Sequence, residues 1–298
     1  MQIVAACGRD AERAAGFGAD WGIAAYTSLE QMFDRHAPDV VSVTTGEYDH
    51  VGPTIAALEN GCHVLCEKML AHSLAAGEEI LEAERRSGRM VAVNYNFRHL
   101  PVHRAIREEL ERGTFGELAL FAANTPAYLY PHMIDLIRFF FGEPTDVQAA
   151  IVDDQELRPP LSTAAASGRW EGSEMLYHPT VAAAATLQFP GGGLATIGST
   201  VFVEHWVKTF WSFALYGRLD MVAVDHAEPG NLSNVAPLGG VAERLREMAP
   251  ATLQESFNLS IGDFVDAVRD CRPPLVTAED AFGSMRLDAR IVEAAQRC

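Results

Sequence analysis

The sequence predicts an α/β protein in two parts. A parallel sheet layered with helices should occupy residues 1–116, and an α+β unit with a large antiparallel sheet residues 117–298. Three observations carry this. Short apolar, β-branched runs alternate with helix-length runs through the first hundred residues, which is the rhythm of βαβ units. After Gly116 the apolar segments lengthen and succeed one another with turns between them, as antiparallel strands do. The 298 residues are 48% hydrophobic and 21% charged, enough to bury a sizeable core.

The elements follow in order. Gln2–Ala6 is a short strand ended by Cys7-Gly8-Arg9-Asp10, and a helix runs from Ala11 to Gly18. Ile23–Tyr26 is a second strand. Thr27 and Glu30 have capping-box spacing for the helix through Phe33. Val40–Thr44 is a buried strand, Pro53 opens the next helix and Asn60-Gly61 closes it. His63–Cys66 is a strand, Ser73 caps a helix ending at Ser87-Gly88, Met90–Asn94 is a strand, and Pro101–Arg112 a helix stopped by Gly113. Beyond the boundary near Gly113–Gly116, Glu117–Ala123 reads as a strand and Pro131–Phe141 as a helix. Val147–Asp153, Thr180–Phe189, Leu194–Val203 and Phe210–Val224 read as long strands, with Pro190-Gly191-Gly192-Gly193 a turn. Gln155–Gly172 and Pro229–Gly240 are loops. Two helices, Leu253–Asp270 and Ala278–Gln296, close the chain.

Composition excludes several functions. Disordered, collagen-like and coiled-coil classes fail on hydrophobic content. No apolar run approaches the roughly 18 residues of a membrane span, and the start MQIVAACGRD has no basic flank for a signal peptide. The net charge is −17 and Arg85-Arg86 is the only adjacent basic pair, so neither nucleic acid nor an anionic membrane is an expected partner. Five cysteines without framework spacing suit a reducing cytoplasm. Cys62 and Cys66 lie about 13 Å apart on a strand at 3.3 Å per residue, too far to share a zinc ion, and no other metal site is expected. There is no G-x-S-x-G elbow and no H-E-x-x-H.

The residues that can carry chemistry sit at strand ends and one helix start. Lys68 falls just past the carboxyl end of a parallel strand, where open α/β sheets bind ligands. A half-desolvated ammonium there can hold or exchange a proton with a substrate hydroxyl, or simply snorkel. Glu67 can orient it, bind a ribose, or lie on the surface. His132 starts a helix and can trade a proton near neutral pH, or make a structural hydrogen bond. Asp135, one turn on, can hold that ring. Tyr128 is a proton donor or a packing residue.

These residues fall in a recognisable order. Gly61-Cys62-His63-Val64-Leu65-Cys66-Glu67-Lys68 resembles the G-x-H-V-L-x-E-K-P segment of the Gfo/Idh/MocA oxidoreductases. Thr45-Gly46-Glu47-Tyr48-Asp49-His50 is similar to their T-P-x-x-x-H turn. Asn94-Tyr95-Asn96-Phe97-Arg98 with Pro101 resembles the strand and turn before the linking helix. His132-Met133-Ile134-Asp135-Leu136 resembles H-x-x-D-L, followed by Gly142-Glu143-Pro144. Tyr177-His178-Pro179, Leu215-Tyr216-Gly217 and Phe264-Val265 through Pro273 are weaker echoes. The resemblance covers nearly the whole chain. It implies a two-domain NAD(P)-dependent enzyme acting on a sugar-like or polyhydroxylated molecule. Lys68, His132 and Tyr128 would be catalytic. Arg9, Thr45, His50 and Glu67 would bind cofactor, and Tyr95, Arg98 and Asp135 substrate. It also implies a homo-oligomer formed through the C-terminal sheet.

The departures matter as much. The family opens with strand, G-x-G-x-x-G and helix, whose glycines admit the pyrophosphate. Here residue 1 sits where the second strand begins, and the only G-x-G, Gly16-Phe17-Gly18, lies late in a helix with Trp21 at the third glycine position. The first domain is therefore expected to be an incomplete Rossmann-like sheet. Met69 and Gly46 replace the two prolines, Tyr128 replaces an aspartate four residues before the histidine, and only fifteen residues separate Gly116 from His132. Either the start is artificial or the cofactor half-site is lost. Gly8-Arg9 stands where an acidic residue would bind the ribose 2′-hydroxyl, which favours NADP over NAD; the absence of the glycine loop favours the alternative of no cofactor at all. Three functions stay open: a sugar-type oxidoreductase, a cofactor-independent lyase, dehydratase, isomerase or cyclase reusing Lys68 and His132, and a non-catalytic homologue.

Overall fold

The computed structural model describes residues 1–152, 182–200, 211–225, 234–236, 239–248 and 251–297. The loop expected at Gln155–Gly172 and the Tyr177-His178-Pro179 segment lie outside them. So do most of the loop at Pro229–Gly240, Asp153, Phe210 and the outer ends of the strands at Thr180 and Val203.

The first part alternates as its sequence demands: β1 (Ala5–Cys7), α1 (Ala11–Trp21), β2 (Ala24–Tyr26), α2 (Leu29–Arg35), β3 (Val40–Val43), α3 (Val51–Glu59), β4 (His63–Cys66), α4 (Leu74–Ser87) and β5 (Val91–Val93). Local chemistry sets the ends. Asp10 caps α1 by accepting from the Arg13 amide, Ser73 caps α4 by accepting from Ala76, and Gly88 ends α4 at φ 64°. The box expected at Thr27 and Glu30 does not form; Ser28 caps α2 instead, accepting from Gln31. All strand pairs are parallel, but they form two sheets rather than one: β1–β2 and β3–β4–β5. No described strand lies between β1 and β3. Across that seam Arg9 pairs with Asp49 at 2.8 Å.

After α5 (Pro101–Glu111) the second part begins with β6 (Leu118–Pro126) and α6 (Tyr130–Phe141). The strands β7 (Asp146–Val152), β8 (Ala182–Gln188), β9 (Leu194–Thr200), β10 (Ser212–Gly217), β11 (Met221–Asp225) and β12 (Asn234–Val235) follow. The helices α7 (Gly240–Arg246), α8 (Leu253–Arg269) and α9 (Ala278–Gln296) complete the chain. The strands form a seven-stranded sheet in the order β12-β11-β10-β6-β9-β8-β7. It is antiparallel except where β6 pairs β9 in parallel, because α6 and two strands give the chain room to cross over. The strand expected at Phe210–Val224 is a hairpin, folded back where the Gly217 amide donates to the Asp220 carbonyl. The helix α7 starts at Gly240, the last residue of the expected loop, in a stretch for which the sequence predicts no element.

Two cores result. Val64, Cys66, Ile80, Val91 and Val93 anchor the first, while Phe121, Phe140, Leu187, Trp211 and Phe213 anchor the second. The helix α9 joins them: Ala281, Phe282 and Met285 pack into the first, Leu287 and Ile291 into the second. The same junction holds a buried ionic knot. Arg98, in the short 3-10 turn Asn96–His99, donates from Nε and Nη2 to Asp135 on α6, both at 2.7 Å, with the two side chains 5% and 1% exposed. Ser284 of α9 donates to the same carboxylate at 3.2 Å and accepts from Arg138 at 3.1 Å. The Arg138 guanidinium lies across α9 at Gly283, where an added Cβ would fall 2.0 Å from its Nη2.

A bidentate pair at this depth stabilises only when both partners are present. Arg98→Met should lower unfolding stability by about 3–5 kcal/mol in urea denaturation, and the double variant Arg98→Met/Asp135→Leu should recover part of that loss. A single-variant cost below about 1 kcal/mol would show the pair to be screened like a surface bridge.

Candidate functional site

The knot fixes α6, and α6 presents His132 toward the carboxyl end of β4, where Lys68 stands. Lys68 is half-buried and its Nζ donates to the backbone carbonyl of Tyr128 at 3.0 Å. Three expected catalytic residues therefore meet at one place, with Tyr128 contributing its carbonyl to the lysine. His132 is 6% exposed. Its ring stacks on Phe97 at 4.4 Å and 23°, with Tyr95 edge-on at 5.7 Å. The His132 Nδ1 is enclosed and has no hydrogen-bond partner among the described residues. Burial, and then the nearby Lys68 charge, hold the His132 pKa well below the usual histidine value, so the ring stays neutral.

The expected cofactor residues line the adjoining strand ends. Glu67 is half-buried and accepts from Asn94 Nδ2 at 2.6 Å. Thr45 donates to the Asp49 carbonyl at 3.0 Å, and Arg9 pairs with Asp49. His50 is fully buried with both ring nitrogens on backbone carbonyls, so neither is left for a ligand. Tyr95, Arg98 and Asp135, expected at the substrate, are interior residues exposed by 1%, 4% and 1%. Asp135 spends its oxygens on Arg98 and Ser284 rather than on the His132 ring, which Phe97 holds instead. Phe97 and Asn94 were given no role from sequence. The signal for Asn94 was a polar residue ending an apolar strand; Phe97 left none. Burial holds Cys66 up to about 12, which leaves it unreactive.

The strand ends were tested for a dinucleotide. Gly46, after β3, has open space before it: an added Cβ would meet nothing within 4 Å, and at Gly8, after β1, only the Ala14 Cβ at 3.7 Å. Bare backbone beside Lys68 and Glu67 suits the close approach of a ribose and nicotinamide. For the pyrophosphate the fit is poorer. The helix after β1 starts on its own carboxylate, Asp10, and the described residues hold no glycine-rich turn of the usual spacing.

A second concavity of about 470 Å³ lies at the junction behind Arg98, lined by Arg104, Arg107, Arg138, Glu108 and Asp280 among others. Its guanidiniums at 98, 107 and 138 are bonded to protein carboxylates and carbonyls.

A divided parallel sheet is followed by a large mixed sheet, with Lys68 near enough to His132 to lower its pKa. The chain belongs to the Gfo/Idh/MocA family. Residues 1–95 match the family model described as oxidoreductase family, NAD-binding Rossmann fold, and residues 126–297 the one described as oxidoreductase family, C-terminal alpha/beta domain. Among curated proteins it is 25% identical to 1,5-anhydro-D-fructose reductase of Ensifer adhaerens, over 99% of this chain and 89% of that protein. Among solved structures it resembles the WlbA dehydrogenase of Bordetella pertussis in complex with NADH and UDP-GlcNAcA, with TM-score 0.80, 17% identity, and 99% and 88% coverage. It also resembles levoglucosan dehydrogenase in complex with NADH and levoglucosan, with TM-score 0.79, 18% identity, and the same coverage. Among the described residues no helix is long and apolar enough to cross a membrane.

The electrostatics of the cleft can be read directly. In a Lys68→Met variant the positive neighbour is gone, so the His132 pKa should rise in an NMR titration while staying below the ordinary value, because burial is the larger cause. An unchanged His132 titration would mean that the two groups do not share the cleft.

Proposed function

We propose that the chain is an NAD(P)-dependent oxidoreductase of a sugar-like or polyhydroxylated small molecule. The observation that carries this reading is Lys68, fixed at the carboxyl end of β4 by the Tyr128 carbonyl and facing a histidine kept neutral by burial. The nicotinamide, when bound, supplies or accepts the hydride. Glu67 and Thr45 would hold the ribose side, and Arg9, swinging from Asp49, would favour the 2′-phosphate of NADP. Lys68 would hold the reacting oxygen, its ammonium giving a proton as the carbonyl is reduced and its neutral amine taking the hydroxyl proton as the alcohol is oxidised. Neutral His132 meets the same oxygen through Nε2 and orients it. Tyr128 is near enough in sequence and space to join them, its hydroxyl being both donor and acceptor. The relatives named above support a carbohydrate-type substrate. The cysteine pattern supports a cytoplasmic setting.

A second reading, acid–base chemistry without a dinucleotide, is favoured by the missing glycine turn. A titration separates them. NADPH should quench or enhance its own fluorescence on binding and raise thermal stability, by about 2.7 kcal/mol at a hundredfold excess over Kd. Lys68→Met should then lower kcat/KM by about 10²–10⁴-fold with sugar-type substrates. A folded protein that binds neither NADPH nor NADH would overturn the redox reading and leave the acid–base one.

We also propose a homo-oligomer through the outer face of the large sheet. Two registered rows cross that face, Ala150-Ala184-Gly198-Asn124-Ser212-Asp225 and Gln148-Thr186-Thr196-Ala122-Ala214-Ala223. They hold one charge, at the edge, in a chain that is 21% charged. With Val152, Leu194 and Tyr216 also exposed on this face, it suits a second copy. Sedimentation should show an oligomer that Thr196→Arg converts to monomer; a monomeric parent protein would rule this out.

A further inference from the structure

The turn that carries Lys68 is held by an unusual acceptor pair. His50, the last residue before α3, is fully buried. Its Nδ1 lies 2.6 Å from the carbonyl oxygen of Met69, the residue after Lys68. Its Nε2 lies 3.0 Å from the carbonyl oxygen of Thr45, in the turn after β3. Both partners are backbone carbonyls, which can only accept. A neutral imidazole has one N–H, so it would satisfy one carbonyl and turn a lone pair on the other. Only a ring that carries hydrogen on both nitrogens can donate to both.

We infer that His50 is a positioning residue that donates from both ring nitrogens, clamping the Thr45 turn to the Lys68–Met69 turn and thereby setting where the Lys68 ammonium stands. The arrangement is local and closed. The Thr45 turn is itself tied by its hydroxyl to the Asp49 carbonyl and by the Asp49 amide to the Gly46 carbonyl. Met69, Leu70 and Ala71 are buried in the first core, 3%, 0% and 0% exposed, so the far end of the clamp cannot drift. Lys68 is the half-exposed residue at the near end. Its side chain donates to the Tyr128 carbonyl across the junction.

This inference takes Lys68 as a working residue of the cleft, but its test does not depend on turnover. His50→Gly removes the ring and leaves a cavity of imidazole shape. The variant should have a lower Tm, which added imidazole or 4-methylimidazole should restore in part. The isomer 1-methylimidazole has the same size but a single N–H even when protonated, and it should not restore the Tm. In the intact protein, NMR should find a slowly exchanging proton on each His50 ring nitrogen. Equal rescue by the two methyl isomers, or one proton on the ring, would overturn the double clamp. If the variant does not fold, the NMR measurement on the intact protein decides alone. Where activity is measurable, rescue should raise kcat and leave the substrate KM nearly unchanged, because a displaced lysine affects the reacting oxygen more than the rest of the substrate. A protein inactive with every cofactor, yet showing both ring protons, would keep the clamp and lose only the catalytic reading of Lys68.

Discussion

Arg98 lies inside the protein with two of its nitrogens 2.7 Å from the Asp135 carboxylate, and most of what makes a site in this molecule depends on that pair. Arg98 belongs to the turn that leaves the parallel part, Asp135 to the first helix of the second part, and Ser284 on α9 closes the triangle. The charges are costly to bury, so the pair forms only when all three segments are in place. It therefore acts as a registration device. With α6 fixed by Asp135, His132 one turn earlier is fixed as well, and Phe97, next to Arg98, is brought against its ring. The position of His132 is thus set from the buried junction behind it.

The opposite side of the cleft is set by backbone. Parallel strands deliver their carboxyl ends to one edge, and the turns after β3 and β4 carry Thr45, Glu67 and Lys68 there. Side chains then tune the edge: Asn94 holds Glu67, His50 holds the Lys68 turn, and the Tyr128 carbonyl receives the ammonium. The histidine and the lysine face each other with different burdens. Lys68 is only half-buried, while burial and then that lysine hold the His132 pKa well below the usual histidine value.

Much of this was legible beforehand. Strand–helix alternation placed β3, β4, α4 and α9 to within a residue, because apolar period and cap chemistry are local. What failed was non-local. The parallel pairing of β6 with β9 depends on where α6 sends the chain, and no window of sequence records it. The hairpin at Gly217–Asp220 was hidden in one apolar run. Ser28 won the α2 cap from its neighbour Thr27, a choice made by backbone position rather than residue type. In the site, residue order marked Lys68, His132 and Tyr128 as a group. It could not show that Arg98 and Asp135 lie inside, since polarity in a motif looks the same whether it faces a ligand or a buried partner.

The central claim is that Lys68 and His132 flank the position of a nicotinamide and a sugar-type substrate. A crystal structure of the protein grown with NADPH tests it most directly. The account predicts the nicotinamide ring against the Gly46 turn, with the Lys68 ammonium and His132 Nε2 converging on the space before its reactive carbon. A dinucleotide bound elsewhere, or a cleft in which Lys68 and His132 point apart, would contradict it.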